Sequence, residues 1–247
     1  MFNSIWHSLF FDPVYNSLVF FIDVVRGGDV GIAIILTVIL VKVLLLPVSL
    51  KAIRTQLVMR EMEPKMKELK EKFKDQREEL ARRTMQLFKE HNVNPLSSIL
   101  LLLIQIPIVF ALYFAVYKGG GIALPAINTA LLYPFIPTPE TVNMIFLGFI
   151  DITSKSIPLA LLAGVTQYIH TRLSLPPATP RDPKAEPNFK DDLTRSMQMQ
   201  MRYVLPVIIV FAAYTISAAI GLYFTISNIM AIGQEYIVRH KGLKQNT

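Results

Sequence analysis

The chain has 247 residues, of which 52% are hydrophobic and 17% are charged, and its mean hydropathy is +0.43. This composition excludes a typical soluble domain and a disordered chain, and it predicts an integral membrane protein. The length leaves room for about five or six spans of about 20 residues, but not for a separate soluble domain. Because the chain has no cysteine, it forms no disulfide and no thiolate-ligated metal site.

The N-terminal segment, residues 3–26, is amphipathic. Val14, Leu18, Ile22 and Val25 recur at helical spacing, while polar residues interrupt an apolar stretch that is too short to span a bilayer. We expect a helix lying at the outer interface of the membrane, and a weakly hydrophobic additional span is the alternative. Since no basic region precedes the segment, we expect it to be retained and not cleaved as a signal peptide.

Five apolar segments predict an all-α polytopic membrane protein built as a bundle of five transmembrane helices. They are residues 31–50, 95–117, 157–173, 199–216 and 219–238. The last two belong to one apolar stretch that is too long for a single crossing, and small, turn-permissive residues interrupt it near its middle. This stretch therefore predicts a helical hairpin.

Lysine and arginine are distributed unevenly along the chain. Of the 25, 12 lie between residues 51 and 89, six between 172 and 202, and three after 238. By the positive-inside rule, the N-terminus is expected outside and the C-terminus in the cytoplasm. The segments between the spans are then a cytoplasmic hairpin (51–93), an outer loop (118–156), a cytoplasmic loop (174–198) and a cytoplasmic tail (239–247).

The segment after the first span carries a narrow apolar stripe. Met59, Met62 and Met66 follow steps of three and four, and a second segment resumes this spacing after a polar break. Two antiparallel helices would bury both stripes. Pro64 predicts a helix start near Glu63, because proline lacks the backbone donor that a helix interior requires. The segment is either a docking surface for a partner or a solvated connector.

The sequence holds no pattern that indicates catalysis. It has no P-loop or dinucleotide-binding glycine motif, and its four histidines lack the spacing of metal ligands. No carboxylate lies near the middle of a span, where it could activate a serine. We therefore expect no enzymatic activity, no cofactor and no metal.

Lys42 is the exceptional residue, because it lies just past the middle of the first span in an otherwise apolar run. A charge at that depth costs about 2.5 to 3.5 kcal/mol on insertion scales, and no span offers a carboxylate near its middle. Lys42 is then hydrated in a cavity, neutral, sheltered by the helix bundle, or paired with a group outside the chain. The polar residues on other spans that could line such a cavity are Gln105, Thr166, Gln167, Tyr223, Ser227 and Asn228. Taken singly, each is more often a contact between helices.

Five segments carry a family resemblance when they are read in order, and they cover about residues 30–240. They are "ILVKVLLLPVSLKAIR" (39–54), "EPKMKELKEKF" (63–73), "MQLFKEHNVNPLSSILLLLIQIPIVFALYFAV" (85–116), "LAGVTQYI" (162–169) and "GLYFTISNIMAIGQEYI" (221–237). In these segments the chain resembles the YidC/Oxa/Alb family of membrane protein insertases. The resemblance implies a bacterial plasma-membrane protein with five core spans, a cytoplasmic helical hairpin, and a hydrophilic groove that is open to cytoplasm and lipid but closed outside.

The resemblance also implies roles for individual residues. The family's groove carries one basic residue on the first core span, usually arginine, and Lys42 occupies that position, while Phe224 stands where members often have tryptophan. Lysine keeps the charge but lacks the bidentate geometry of arginine. The implied groove residues are Lys42, Gln105, Gln167, Tyr223, Phe224, Ser227 and Asn228.

The implied partners are nascent membrane proteins and membrane lipid. The cytoplasmic hairpin and tail are candidate contact sites for the ribosome, the signal recognition particle pathway and the Sec translocon. Lys42 would attract acidic residues of an incoming client, whose apolar part would leave along the third and fifth spans past Tyr223 and Phe224. A small solute channel that uses Lys42 for anion selectivity and a purely structural scaffold are the alternative functions.

Overall fold

The computed structural model of the chain describes residues 2–74, 76–91, 93–94, 96–118, 121–175, 196 and 199–245. Most of these residues are helical, in agreement with the all-α prediction. Most of the segment 174–198, expected as a cytoplasmic loop, lies outside the described residues. The chain divides into two units: unit 1 is Met1–Leu44 with Gln105–Gly233, and unit 2 is Leu45–Ile104 with Gln234–Thr247.

The α-helices of the described residues are, in chain order, α1 (Phe2–Trp6), α2 (Asp12–Val24), α3 (Val30–Leu44), α4 (Leu46–Glu61), α5 (Glu63–Lys72), α6 (Arg77–Glu90), α7 (Leu96–Tyr117), α8 (Ile157–Ser174), α9 (Leu205–Ile216) and α10 (Ala218–Gln245). Short helical turns of other types are His7–Phe11 and Gln200–Val204, which are π-helical, and Thr129–Leu131, which is 3-10. Two short antiparallel strands, β1 (Ile145–Phe146) and β2 (Ile150–Asp151), form a hairpin within the segment expected as an outer loop.

Proline residues explain where several helices break. Pro47 has no N–H to donate within a helix, and the chain is interrupted at Leu45, between α3 and α4. Pro13 and Pro206 lie in the first turns of α2 and α9, each directly after a π-helical turn that accommodates the missing hydrogen bond. The expected span 31–50 therefore consists of α3 and the first residues of α4.

Helix length limits what each apolar helix can cross. Among the described residues, no single helix is both long and apolar enough to qualify as a membrane span by itself. The bent pair of α3 and α4 meets the criteria of length and composition together. Leu103–Tyr117 and Gln200–Ile216 are apolar helical stretches of shorter length.

Unit 1 is held together by two helix pairs. Helix α2 packs against α3, and Val14, Leu18 and Ile22 of its apolar stripe are buried. Helix α8 packs against α9, and a Cβ atom added at Gly164 of α8 would lie 2.1 Å from the Cγ2 atom of Val210. Small residues thus let the backbones of α8 and α9 approach closely, as is common between helices in membranes.

Asp29 joins the start of α3 to the β-hairpin formed by β1 and β2. One carboxylate oxygen accepts the Ile32 N–H at 3.0 Å and caps α3, while the other accepts the Leu147 N–H at 2.8 Å. Leu147, at the hairpin turn, has a φ of 53°, a left-handed conformation that is uncommon for a residue with a branched side chain. The hydrogen bond to Asp29 holds this turn against the end of α3.

The same loop contacts the start of α10. The N–H groups of Ala218 and Ala219 donate to the carbonyl oxygens of Ser154 at 2.8 Å and Ile152 at 2.9 Å. These donors belong to the first turn of α10, where a helix offers no internal acceptors. Because the Asn143 carbonyl oxygen also accepts the Val30 N–H at 2.9 Å, backbone oxygens between residues 143 and 154 serve the first turns of both α3 and α10.

We expect Asp29→Ala to lower the free energy of unfolding by about 2 kcal/mol, because it removes a helix cap and leaves the N–H groups of Ile32 and Leu147 without their acceptor. Asp29 is 8% exposed. Asp23→Ala is the matched control, since Asp23 is an exposed acidic residue of α2. Denaturant titration of purified protein followed by circular dichroism measures both, and an equal loss in the two variants would contradict the role given to Asp29.

Unit 2 contains a hairpin formed by α5 and α6, which pack against each other. Its core consists of Met62, Leu87 and Val93. The partly buried side chains against this core are Val58, Met59, Met66, Leu69 and Phe88. Pro64 lies in the first turn of α5, which begins at Glu63. The hairpin thus has its own hydrophobic core, formed by the methionine-rich stripe of the sequence.

Candidate functional site

Lys42 lies in the last turn of α3 and is the only charged residue of that helix. Its side chain is half-buried, and its Nζ atom donates a hydrogen bond of 3.1 Å to the Oε1 atom of Gln105 on α7. The observed partner is therefore a neutral amide that belongs to unit 1. Because an amide does not neutralise the ammonium charge, Lys42 keeps its attraction for an anionic group.

Gln105 connects Lys42 to α10. Its Nε2 atom donates to the hydroxyl oxygen of Tyr223 and, at 3.3 Å, to the Oγ atom of Ser227. Tyr223 and Ser227 lie four residues apart and so share one face of α10; they are 2% and 4% exposed. The carbonyl oxygen and the amino group of Gln105 are thus both engaged, and a continuous polar network links α3, α7 and α10.

A small cavity lies beside this network. Its volume is about 10 Å³, which is about the space that one water molecule needs. The lining residues with polar groups are Thr37, Lys42, Gln105 and Tyr223, and the apolar ones are Val14, Val38, Val41, Ile108 and Leu112. The polar network of Lys42, Gln105 and Tyr223 therefore borders a space of about one water molecule.

Three of the residues expected in the groove have contacts on α8 or against the α8–α9 pair. The Nε2 atom of Gln167 donates to Thr171 Oγ1 at 3.5 Å, within α8. The Nδ2 atom of Asn228 donates to Thr166 Oγ1 at 3.3 Å and so joins α10 to α8. Phe224 packs against the apolar contact between α8 and α9. The structure thus brings Lys42, Gln105, Tyr223 and Ser227 together in one hydrogen-bonded network. Phe224 also touches this network, because its ring lies edge-on to the Tyr223 ring with centroids 5.4 Å apart.

Two residues near Lys42 were missed by the search of the sequence for polar cavity residues. Val14 of α2 lines the cavity, and it escaped notice because an apolar side chain on an amphipathic helix predicts only burial. His170 of α8 lies near enough to Lys42 that a protonated imidazole there would be repelled by the ammonium group. The sequence contains no spacing signal that relates His170 to Lys42, because the two residues belong to different helices.

The arrangement supports recognition of an anionic group. Lys42 supplies a positive charge, and Gln105 and Tyr223 supply hydrogen-bonding groups beside it. Within the part of the chain that the structure describes, no group of three or more His, Cys, Asp or Glu residues could hold a metal ion. The site thus places one positive charge beside neutral groups that already hydrogen-bond one another.

Comparison with known proteins adds independent information. The family model described as 60Kd inner membrane protein matches residues 21–245. Membrane protein insertase YidC of Pelobacter propionicus is 31% identical over 233 residues, which cover 94% of this chain and 39% of that protein. Membrane protein insertase MisCA of Bacillus subtilis is 27% identical over 237 residues, 94% of this chain and 78% of that protein. Membrane protein insertase YidC 1 of Halalkalibacterium halodurans is 29% identical over 240 residues, 95% of this chain and 79% of that protein.

Proposed function

We propose that this chain inserts nascent membrane proteins into the lipid bilayer, because it belongs to the family of the 60Kd inner membrane protein and three of its relatives are named membrane protein insertases. The chain spans 39% of the length of one of these relatives and nearly four fifths of two others. The proposed activity therefore concerns the part that all of them share. It requires no covalent step, so we propose that the protein acts without enzymatic chemistry.

The observation that carries this proposal is a charged side chain on an apolar helix whose hydrogen-bond partner, among the residues that the structure describes, is a neutral amide. The ammonium of Lys42 is held by Gln105, and a client carboxylate would form a stronger, charge-assisted hydrogen bond in its place. An acidic N-terminal tail or short outer loop of a client is then attracted to the cavity. The apolar part of the client enters lipid, which contributes about 25 cal/mol per Å² of apolar surface removed from water.

Exposed apolar side chains offer a route for that part of the client. Leu161, Val165 and Ile169 of α8 are each more than 40% exposed. Tyr223, in contrast, is 2% exposed, so in this conformation it faces the polar network and not a client. We propose that the client leaves along α8, with Tyr223 becoming accessible only when the cavity opens.

The short apolar helices fit a function at a thinned membrane. Helix α3 has 15 residues and α9 has 12, so they measure about 22 Å and 18 Å at about 1.5 Å per residue. A typical hydrocarbon core is about 30 Å thick. Bilayer thinning or water entry around such helices lowers the barrier for transfer of polar polypeptide.

The proposed function can be tested by reconstitution. Liposomes that contain the purified protein should insert a client with a single span and an acidic N-terminal tail, measured by protection of the tail from added protease. Empty liposomes are the control. If the protein conducted chloride in the absence of a client and inserted nothing, the channel alternative would replace the insertase.

The orientation of the chain is a further part of the proposal. Because most basic residues lie between residues 51 and 89 or after residue 171, we expect cysteine at Lys65 to be protected from an impermeant thiol reagent in intact cells and cysteine at Thr138 to be labelled. The natural sequence has no cysteine, so each single variant reports one site. Labelling of the Lys65→Cys variant from outside would reverse the proposed topology.

The hairpin of unit 2 is proposed as a docking element on the cytoplasmic side. Its faces outside the core of Met62, Leu87 and Val93 carry both charge signs, with exposed ion pairs such as Glu79 to Arg83 at 2.8 Å. Mixed charge of this kind favours specific and reversible contacts. The ribosome, the signal recognition particle pathway and the Sec translocon are the proposed partners.

A further inference from the structure

The turn of the β-hairpin leaves apolar side chains uncovered. Leu147 is 57% exposed and Phe149 is 72% exposed, whereas Phe146 is 7% exposed. The Phe146 ring packs on the start of α3 so closely that a Cβ atom added at Gly31 would overlap it. The hairpin is thus fixed against α3 through Phe146, and the turn, residues 147–149, remains accessible. We call this turn the hairpin tip.

The backbone of the hairpin tip is unfavourable for leucine. Leu147 and Gly148 have φ values of 53° and 81°, and they form the centre of a turn that the Phe149 N–H closes by donating to the Phe146 carbonyl oxygen at 3.2 Å. Turns with two positive φ values favour asparagine, aspartate or glycine at these positions. Leucine therefore costs conformational energy here, and its exposed side chain recovers little of that cost by burial within the chain. An apolar surface outside the chain would offset the cost.

The N–H groups of the hairpin tip already have acceptors within the chain. The Leu147 N–H donates to the Asp29 carboxylate at 2.8 Å, and the Gly148 N–H donates to the Ile145 carbonyl oxygen at 3.3 Å. The Phe149 N–H makes the bond that closes the turn. Backbone donors that enter hydrocarbon have to be satisfied internally, since lipid chains accept no hydrogen bond. The hairpin tip meets this condition for lipid contact.

Charge is distributed around the hairpin tip as at a membrane interface. Residues 141–150 contain no charged residue, and Glu140 and Asp151 lie on either side of them. Lys155 follows soon after, and its Nζ atom lies 5.6 Å from the centroid of the Tyr214 ring. Lysine and tyrosine are typical of the headgroup level, because each joins an apolar body to a polar end. A surface that binds a soluble protein more often has a polar rim around its apolar centre.

From these observations we infer that the hairpin tip enters the boundary between headgroups and acyl chains, with membrane lipid as its partner. The inference goes beyond the proposed function, because lipid contact at the tip requires no client. In the proposed orientation the tip lies in the outer leaflet. Since Asp29 ties Leu147 to the first turn of α3, the depth of the tip then sets the level at which α3 begins.

The test uses tryptophan fluorescence of the full chain in liposomes of phosphatidylcholine with brominated acyl chains. Trp6 is the only tryptophan, so Trp6→Phe removes the background and Phe149→Trp adds a probe at the tip. We expect brominated lipid to lower its emission at least about twofold relative to unbrominated lipid, because the probe lies within reach of the acyl chains. Thr138→Trp is the matched control, since Thr138 is exposed and lies two positions from the exposed Glu140. The control should be quenched far less.

A change at Leu147 separates the apolar side chain from the geometry of the turn. Leu147→Asn should keep the hairpin, because asparagine accepts a positive φ, but an amide group is unfavourable among acyl chains. Combined with Phe149→Trp, it should remove at least about half of the quenching by brominated lipid and increase quenching by aqueous iodide. Leu147→Met keeps an apolar side chain and should be quenched by lipid as strongly as the Phe149→Trp probe alone.

The outcomes that would overturn the inference are specific. Equal quenching by brominated lipid at positions 149 and 138 would do so, as would equal quenching in the Leu147→Asn and Leu147→Met variants. Blue-shifted emission at position 149 without lipid quenching would show that protein, such as a second copy, covers the tip instead. If Phe149→Trp does not fold by circular dichroism, Ile145→Trp carries the same expectation, since Ile145 is 39% exposed. The vesicles contain no client, so the result is independent of insertion activity.

Discussion

Lys42→Glu is expected to reduce insertion of a client with an acidic N-terminal tail at least about tenfold. Two unit charges 4 Å apart interact by about 4 kcal/mol at an effective dielectric constant of about 20, and about 1.4 kcal/mol already corresponds to a factor of ten. The substitution replaces attraction of the client carboxylate by repulsion. Protease protection of the tail in reconstituted liposomes, or in cells that depend on the variant, measures the effect.

Variants that separate charge from hydrogen bonding make this experiment decisive. Lys42→Arg keeps both and should retain insertion, whereas Lys42→Gln keeps a hydrogen-bonding group for Gln105 but loses the charge and should impair insertion of the acidic client. The same client with a neutralised tail should depend much less on Lys42. If Lys42→Gln inserted the acidic client as well as the unmodified protein does, Lys42 would be a residue of the helix bundle with no role in attraction.

Replacement of residues 63–90 by a short flexible linker is expected to lower insertion at least about tenfold while unit 1 stays folded. The removed segment contains α5, α6 and Leu87 of the hairpin core. Its loss should therefore leave the contacts among α2, α3, α8 and α9 in place. Delivery of clients would fail because the proposed docking element is absent, and the assay has to include ribosomes that carry the nascent client.

The matched control for the deletion changes the surface of the hairpin only. Arg83→Ala removes the ion pair with Glu79, and exposed ion pairs contribute little to stability. Insertion should be close to normal in this variant. Normal insertion by the deletion variant would show that the hairpin is a passive connector, and loss of helical content beyond that of the removed residues would assign the defect to folding.

Periodicity in the sequence predicted buried faces better than it predicted partners. The stripe of Val14, Leu18 and Ile22 is buried in α2, and the methionine stripe supplies Met62 to the core of the hairpin. A repeat of 3.6 residues records which side of a helix is covered, so a single sequence is sufficient for that step. The identity of the covering element depends on how helices are arranged in space, which the repeat does not encode.

The partner of Lys42 illustrates this limit. Several polar residues on other spans were candidates, and only the rotation of each helix about its axis selects among them. Ser227 and Asn228 are consecutive, yet they lie about 100° apart on α10, so Ser227 meets Gln105 while Asn228 meets Thr166 on α8. Rotation of a whole helix is set by all of its contacts together, and no local pattern contains it.

The interruption at Leu45 is a different case, because its signal was present in the sequence. Pro47 lies three residues before the end of the expected first span, and a helix interior does not accommodate proline without losing a hydrogen bond. The continuous apolar run concealed this signal, since hydropathy averaged over a window does not respond to a missing backbone donor. Backbone chemistry outweighed hydropathy at this position.

The hydrogen bonds of Asp29 have a consequence for insertions and deletions in this chain. They fix the beginning of α3, and Lys42 follows 13 positions later on the same helix, about 20 Å along its axis. One residue added to or removed from this interval would shift the ammonium group by about 1.5 Å and rotate it by about 100°, away from Gln105, without any change in net charge if the residue is apolar. The number of residues between Asp29 and Lys42 is therefore under constraint in its own right, separately from which residues they are.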